Sequence, residues 1–408
     1  MQVWRTRFTG AAIAALMLAA CSSGDSSGGT NSATGTCAPG VTDDSVKVGL
    51  LYPDTGVMAA QFTGFRAGVT ARFGAENAAA GGVGSRKIDY AWQDDQSDPR
   101  GNLQGACELV AQNAFAVVQY SAASQQSIDY LDTAGVPVVG VADQPGWGQH
   151  QNTFSVTFAS QNGQSTTTLG DFVRQQGGTR AALAISFLSQ TAKLYADGVS
   201  ASLRHAGIGV VTQDVDSTNT ADVAQKIIAS GADTIIAAAP LDLYTGVLAA
   251  AVSAGHPFKV AVSVVSYDPR LLAPYGHQLA GSYAQLSFAA LERDRPVQRQ
   301  FLQAMATYSP EVSPPGQQSA IDGWLSADLF IRGLKTQQGC PTRDSYIKGL
   351  RAVSDYDADG MMVNKINFGT DRGKLDLCYD FVRVANSGDH FEVVSPQPLC
   401  GERIETDR

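Results

Sequence analysis

The run Val46-Lys47-Val48-Gly49-Leu50-Leu51 opens the pattern that decides the fold. It has the composition of a short buried strand, and turn residues at 53–56 separate it from a helix-like stretch at 61–80. Further strand-like and helix-like runs alternate in the same way at 88–92, 102–112, 115–120, 125–134 and 136–141. Such alternation is typical of βαβ units, in which helices cover both faces of a parallel sheet.

The alternation starts again after a loop rich in Gln, Gly and Asn at 143–153. The second series comprises runs at 163–176, 180–185, 191–205, 208–215, 222–230, 234–237, 244–254 and 258–262. Two similar series in tandem predict an α/β protein with two doubly wound, Rossmann-like lobes. The last third is less regular and predicts helices near 296–308, 319–336 and 342–352 and a strand-rich tail over 361–394.

The first 21 residues have the features of an export signal. Arg5 and Arg7 precede an apolar run at 11–20, which is too short to span about 30 Å of hydrocarbon. The ending Leu18-Ala19-Ala20-Cys21 resembles a bacterial lipobox, in which the cysteine is lipidated and becomes the new N-terminus. We therefore expect a lipid on Cys21 to hold the protein at the outer face of the cell membrane. The alternative is an ordinary signal peptide with a chance cysteine.

Residues 22–43 form the predicted flexible linker. Positions 22–36 are almost entirely Ser, Gly, Thr and Asn, a composition that cannot bury enough apolar surface to fold. No later segment approaches about 18 uninterrupted apolar residues, so we expect the lipid to be the only contact with the membrane.

The overall charge argues against several classes of partner. The net charge is −9, and no run of Lys and Arg is interleaved with aromatic residues, so we expect no nucleic-acid partner. A hydrophobic content of 44% with 16% charged residues is sufficient for substantial globular cores.

Six cysteines are present: Cys21, Cys37, Cys107, Cys340, Cys378 and Cys400. If Cys21 carries lipid, five remain, and an exported compartment permits disulfides. Cys378 and Cys400 flank a predicted hairpin, but the sequence leaves open the connectivity and which thiol stays free or pairs elsewhere. Zinc sites require clustered Cys and His, which this sequence lacks, so we expect no metal and no other cofactor.

Two motifs in register carry a family resemblance. Asn77-Ala78-Ala79-Ala80-Gly81-Gly82-Val83-Gly84-Ser85-Arg86-Lys87-Ile88 resembles the helix-end signature of the branched-chain amino-acid-type periplasmic binding proteins, the type I substrate-binding components of ABC transporters. Asp94-Asp95-Gln96-Ser97-Asp98-Pro99 stands where that family has a characteristic Asp followed by Asp-Pro. Leu194-Tyr195-Ala196-Asp197-Gly198 is similar to a Tyr-Gly-x-Gly stretch of the family, with Ala196 in place of the first glycine.

The resemblance implies two lobes joined by three crossovers that close over a ligand by a hinge motion. It places 44–157 and 281–359 in the first lobe and 158–280 and 360–408 in the second. It also implies a monomer that delivers a small polar ligand, an amino acid or a related compound, to an ABC permease.

Loops that follow strands hold the predicted ligand contacts, because open α/β sheets bind ligands outside the carboxyl ends of their strands. Ser121-Ala122-Ala123-Ser124 offers hydroxyls and helix N-terminal N–H groups to an anionic group such as a carboxylate, although Ser124 would serve equally as a plain N-cap. The loop after the first strand contributes Asp54, Thr55 and Gly56, for which an exposed turn is the alternative.

Three further candidates complete the predicted site. Trp147 lies between two glycines after a strand and could form a wall of the pocket. Tyr195 could pack its ring against a ligand ammonium, or simply be a half-buried helix tyrosine. Asp268 could pair with that ammonium, but it precedes Pro269 and could instead cap the following helix.

Motifs for catalysis are not found. The sequence contains no Gly-x-Ser-x-Gly elbow, His-Glu-x-x-His or P-loop, and its five histidines are scattered. We therefore predict a solute-binding protein rather than an enzyme. The alternatives are a ligand-sensing domain that acts with a separate membrane partner, and an envelope lipoprotein without a transport role.

Overall fold

A computed structural model describes residues 37–158, 163–185, 190–214 and 219–405. The predicted signal peptide, Cys21 and most of the predicted linker lie outside these residues. Among the residues described, no helix is both long and apolar enough to cross a bilayer.

Two parallel sheets organise the described chain. The first has the strand order β2-β1-β3-β4-β5, all parallel. Its strands are β1 (Ser45–Tyr52), β2 (Lys87–Asp94), β3 (Ala116–Tyr120), β4 (Val138–Ala142) and β5 (Thr153–Phe158). The helices along this segment are α1 (Ala59–Phe62), α2 (Phe65–Ala80), α3 (Pro99–Ala111) and α4 (Gln125–Thr133).

The second sheet has the order β13-β12-β11-β10-β9-β7-β8 and is parallel from β8 to β11. Its strands are β7 (Arg180–Ile185), β8 (Gly209–Asp214), β9 (Thr234–Ala238), β10 (Val260–Ser263), β11 (Tyr283–Leu286), β12 (Cys378–Val384) and β13 (Phe391–Val393). The helices of this series are α5 (Thr168–Gln175), α6 (Gln190–His205), α7 (Thr220–Ala229), α8 (Leu241–Ser253) and α9 (Leu272–Leu279). Outside the main order, β14 (Leu399–Cys400) pairs with β12, and β15 (Arg403–Glu405) pairs with β6 (Gln164–Thr166).

The chain crosses between the sheets three times. It leaves the first sheet after β5 and returns to it after β11. The returning helices are α10 (Pro296–Tyr308) and α11 (Gln318–Leu334). Both pack on α2, and α11 also covers β3, β4 and β5. After α12 (Arg343–Arg351) it crosses again to β12, which pairs antiparallel with β11. This arrangement confirms the predicted two-lobe α/β fold with a three-segment hinge.

Two predicted boundaries differ from the observed elements. The return to the first lobe was expected at 281, but β11 pairs with β10 and β12 and therefore belongs to the second sheet. The tail predicted as strand-rich from 361 forms a regular strand only at Cys378. Single bridges between Phe288 and Met362 and between Tyr356 and Ile366 replace the expected strands in the crossover.

Helix α11 is the centre of the main hydrophobic core. Nearly all of its residues are buried, and Ile321, Trp324 and Phe330 join a cluster that includes residues of both sheets. On the first sheet, Val118, Val139 and Val141 belong to this cluster. The alternate residues Val117, Val138 and Ala142 belong to a separate cluster with Leu109 and Ile128 of α3 and α4. Side chains along a strand alternate between the two faces of a sheet, so the face that carries Val118, Val139 and Val141 is the one that α11 covers.

The 77–99 motif has a clear structural role. Gly81 ends α2 in the left-handed conformation (φ 66°), which glycine adopts without steric cost. The Asn77 amide then bonds both backbone groups of Ile88 in β2, each at 2.9 Å. Asp98 caps α3 by accepting the N–H groups of Arg100 and Gly101, with Pro99 as the first helical residue. The motif therefore fixes the two turns that surround β2.

Two disulfides connect described cysteines. Cys37 is bonded to Cys340, which ties the start of the described chain to the loop between α11 and α12. Cys378 is bonded to Cys400 across the paired strands β12 and β14. These two bonds settle the pairing of Cys37, Cys340, Cys378 and Cys400.

The two bonded pairs should differ in their contribution to stability. Replacing Cys37 and Cys340 together by Ser removes a cross-link between positions 303 residues apart, whereas Cys378 and Cys400 are separated by 22. Loop-closure entropy predicts that the first double variant loses about 2 kcal/mol more unfolding free energy than the second. Urea unfolding under oxidising conditions measures both, and an equal or reversed loss would contradict this expectation.

Candidate ligand-binding cleft

The N-terminus of α11 brings the carboxyl ends of both sheets together. The Gln318 N–H donates to the Tyr267 carbonyl (3.0 Å) and the Gln318 side-chain amide donates to the Val264 carbonyl (3.2 Å). Val264 and Tyr267 follow β10 of the second sheet, while α11 lies over β3 and β4 of the first. We call the region bounded by the loops after β3, β4 and β10 and by the start of α11 the interlobe cleft.

The loop after β1 is held by one carboxylate of the 94–99 motif. Asp94 accepts hydrogen bonds from the N–H groups of Asp54 (2.9 Å) and Thr55 (3.1 Å) and from the Thr55 hydroxyl. Although its partial burial acts in the opposite direction, these bonds and one from Gln96 N–H lower the pKa of Asp94. Gly56 has φ 92°, and a Cβ there would lie 2.2 Å from the Gln96 carbonyl oxygen. The loop is therefore exposed but fixed in place.

The two serines of the 121–124 loop point inward rather than toward a ligand. Ser121 is fully buried, and its hydroxyl donates to the carboxylate of Asp95, which also accepts a bond from Asn102 (2.9 Å). Burial raises the pKa of Asp95 in spite of these bonds. Ser124 is buried too, and it makes no capping bond to α4. Ala122 and Ala123 are the partly exposed members of the loop.

Trp147 is part of the core, which corrects the prediction that it forms a pocket wall. Its side chain is 0% exposed and belongs to the cluster between the first sheet and α3 and α4. The indole N–H donates to the Ser124 hydroxyl (3.2 Å). The flanking glycines form a short 3-10 turn, Pro145–Gly148, that folds the ring inward.

The second-lobe candidates are placed less favourably for ligand contact. Asp268 caps the turn at Pro269–Leu271 and binds the Arg270 guanidinium through both carboxylate oxygens, so its charge is already paired. Tyr195 packs against the core of the second sheet with Tyr379 nearby. Its hydroxyl is buried without a hydrogen-bond partner, and burial raises its pKa.

A group of side chains that the sequence reasoning did not select lies in the cleft. Tyr120 is the last residue of β3, and it pairs in register with Val141 of β4. Asp143 directly follows the last residue of β4, and its N–H donates to the Val141 carbonyl (3.1 Å). The Tyr120 ring packs edge-on against Phe62 with centroids 4.5 Å apart. Asp322 projects from the second turn of α11 and is 4% exposed.

The charges of Asp143 and Asp322 act on their neighbours in this group. Burial raises the pKa of Asp322 to about 8, and the negative charge of Asp143 adds to that rise. Burial raises the pKa of Asp143 to about 6. Burial and the charges of both carboxylates raise the pKa of Tyr120 well above its usual value. Among the described residues, neither carboxylate has a hydrogen-bond or ion-pair partner.

These residues differ in how visible they are in the sequence. Asp143 lies directly after a strand and could have been found by the rule that selected Trp147. Asp322 sits in a helix far along the chain, and only its charge in an otherwise buried helix marks it.

The arrangement is suited to binding a polar or charged ligand. The cleft presents carboxylates and an aromatic ring, and the 121–124 hydroxyls are engaged internally. No group of three or more His, Cys, Asp or Glu side chains in the described ranges could hold a metal ion.

Comparison with known proteins identifies the family of this fold. A family model described as "Periplasmic binding protein" matches residues 45–389. None of the curated proteins matches the chain significantly. Among solved structures, an ABC transporter substrate-binding protein from Aeropyrum pernix shares 15% identity with a TM-score of 0.74, covering 88% of this chain and 97% of that one.

Two further structures illustrate the range of ligands on this fold. The branched-chain amino acid transporter substrate-binding protein LivJ from Streptococcus pneumoniae, in complex with isoleucine, has 19% identity and a TM-score of 0.70, covering 86% of this chain and 100% of that one. A fatty acid ABC transporter substrate-binding protein from Thermomonospora curvata has 17% identity and a TM-score of 0.72, covering 89% and 94%. At this identity the likeness shows the shared fold.

The unpaired state of Asp322 predicts a pH-dependent stability. An unfolded Asp ionises near pH 4, whereas the folded carboxyl holds its proton up to about pH 8, so this group makes the folded state lose stability as pH rises between these values. The titratable groups that face Asp322 are Asp143 and Tyr120. The cation Arg72 of α2 is already paired with Glu76 and Asp328. The free energy of unfolding of Asp322→Asn should therefore match that of the parent near pH 4. At pH 8 it should be higher by a few kcal/mol, the order of magnitude that proton linkage sets.

Urea unfolding of both proteins from pH 4 to pH 9 measures this difference. Asp328→Asn is the matched control on the same helix, because Asp328 accepts bonds from Arg72 (2.8 Å) and Tyr356 (3.1 Å) and its replacement should destabilise the protein. If Asp322→Asn were less stable than the parent at pH 8, Asp322 would have a structural partner.

Proposed function

Because this chain belongs to the periplasmic binding protein family, we propose that it is an extracytoplasmic solute-binding protein. In this proposal the interlobe cleft holds a small polar ligand, an amino acid or a related compound, and the two lobes close over it. The protein then delivers the ligand to an ABC importer.

The observation that carries this proposal is the convergence of polar groups at the N-terminus of α11. Parallel sheets bind ligands at their carboxyl ends, and the bonds from Gln318 to Val264 and Tyr267 bring these ends of both sheets to one place. The chain crosses between the two sheets three times, and such connections can act as a hinge.

An amino-acid ligand is supported by the chemistry of the cleft and by one neighbour. The 121–124 loop leads into α4, whose N-terminal backbone N–H groups suit a carboxylate. Asp143 and Asp322 are suited to a positively charged group. LivJ, which shares the fold, was crystallised with isoleucine.

The N-terminal sequence supports a lipid anchor on this protein. Cys21 ends a short segment that resembles a lipobox, and the sequence that follows it has the composition predicted for a linker. A tether of this kind keeps a diffusing receptor near its membrane partner and raises its effective concentration there.

Ligand binding should appear as thermal stabilisation of the purified protein. A solute that binds only the folded state stabilises it by about 2.7 kcal/mol when its concentration is 100 times the Kd. We expect at least one member of a panel of amino acids, amides, amines and small carboxylates to raise the melting temperature in a saturable manner. The proposal of solute binding would have to be abandoned if no compound did so.

The lipid anchor can be tested in cells. Replacing Cys21 by Ser should abolish incorporation of labelled palmitate and release the protein from the membrane fraction, because no thiol remains for lipidation. Ser23→Ala, in the adjoining linker, is the matched control and should remain membrane-bound. Unchanged fractionation and labelling of the Cys21 variant would rule the anchor out.

A further inference from the structure

We propose that Asp143, Asp322 and Tyr120 form a subsite for the ammonium group of a cationic solute. The ligand would then carry net positive charge, as basic amino acids and alkyl diamines do. This inference rests on the proposed solute-binding function and specifies its substrate class.

The three side chains come from different elements, two at the carboxyl end of the first sheet and one near the start of α11. Tyr120 ends β3, and Asp143 directly follows the neighbouring strand β4. Asp322 lies four residues after Gln318, so the two share a helix face. The Gln318 side chain reaches the loop after β10, which places that helix face toward the second sheet.

Asp322 is exceptional among the buried acids of this protein. Asp95 is bonded by Ser121 and Asn102, Asp380 binds Arg293 and the Ala290 N–H, and Glu76 is paired with Arg72 and Lys335. Asp322 is as buried as these residues but has no partner among the described residues. Ionising a buried carboxyl that has no partner is costly, and a bound cation would offset that cost.

Two other polar groups near the start of α11 also lack a hydrogen-bond partner in the described chain, and both are acceptors. The side-chain carbonyl oxygens of Gln317 and Gln318 are buried without a hydrogen-bond partner. Gln317 itself is 2% exposed, and its oxygen lies against Gly64, two residues beyond Phe62. Both of these oxygens can only accept hydrogen bonds. A ligand that satisfies them must be a donor.

The residue types favour an organic ammonium over a metal ion. The subsite has two carboxylates, and no group of three metal-ligating His, Cys, Asp or Glu side chains occurs among the described residues. Tyr120 adds an aromatic ring, whose face attracts organic cations. An ammonium also donates three hydrogen bonds, which matches several separate acceptors.

The proposal also specifies a pH dependence for binding. The cation binds the ionised carboxylates, whereas burial raises the pKa of Asp143 to about 6 and that of Asp322 to about 8. Affinity for an ammonium should therefore increase as pH rises from 6 to 8. The charged and titratable groups that face the subsite are Asp143 and Tyr120 from the sheet and Asp322 from α11.

The test compares matched solutes on the full mature chain. L-lysine, L-arginine and putrescine are the cationic probes, L-leucine and L-glutamate are neutral and acidic controls, and calcium chloride tests for a metal. Thermal shift and calorimetry at pH 6, 7 and 8 give the affinities. We expect at least one cationic probe to bind more tightly than every control, with an affinity that increases with pH.

Variants connect that preference to the subsite. Asp322→Asn and Asp143→Asn should each weaken binding of the preferred cation by roughly 100-fold and reduce its pH dependence. Asp328→Asn on the same helix should lower stability but keep the wild-type affinity, because Asp328 is paired with Arg72. Folding of the Asp→Asn variants is checked independently by their unfolding transitions.

Each outcome has a definite meaning. Binding of neutral or acidic probes without binding of cations would overturn this inference and leave the proposed function standing. Unchanged cation affinity in both Asp→Asn variants, or stabilisation by calcium chloride alone, would also overturn the inference. If no organic solute bound, the proposed function would fail and this inference with it.

Discussion

The packing of α11 is the constraint on which the rest of the structure depends. This helix is buried along almost its whole length, so it acts as an interior element that both lobes share. Its body covers β3 and β4, and its first residue donates two hydrogen bonds to the loop after β10. Fixing these two contacts fixes where the carboxyl ends of the sheets meet. The position of the cleft is therefore a consequence of core packing.

Sequence periodicity was sufficient for the architecture because both lobes repeat one local pattern. Short apolar strands and helices of ordinary length alternate, and the observed sheets follow that alternation. The crossover was harder to predict, because β11 is a four-residue strand that pairs with β10 on one side and with β12, almost 100 positions later, on the other. Long-range pairing of this kind leaves no local trace in the sequence.

The candidate site was less predictable than the fold for a related reason. Position after a strand directed attention to the 121–124 and 143–153 loops, but the orientation of each side chain depends on its neighbours. Ser121 turns inward because Asp95 is buried beneath it, and Trp147 turns inward because a short turn places its ring in the core. Asp322 became relevant only when α11 was placed over the sheet.

The buried acids of the described chain fall into two groups, those with partners among its residues and those without. Buried carboxylates such as Asp95 and Asp380 are satisfied within the fold, and they hold loops and strand ends in place. Burial opposes the ionisation of Asp143 and Asp322, and the charge of Asp143 also opposes that of Asp322, so ionising this pair raises the free energy of the unliganded protein. A fold that retains such a pair at the junction of its lobes keeps part of its potential stability for the state in which a ligand is bound. In the proposed function, a solute of matching charge would offset that cost on binding and so favour closure of the lobes.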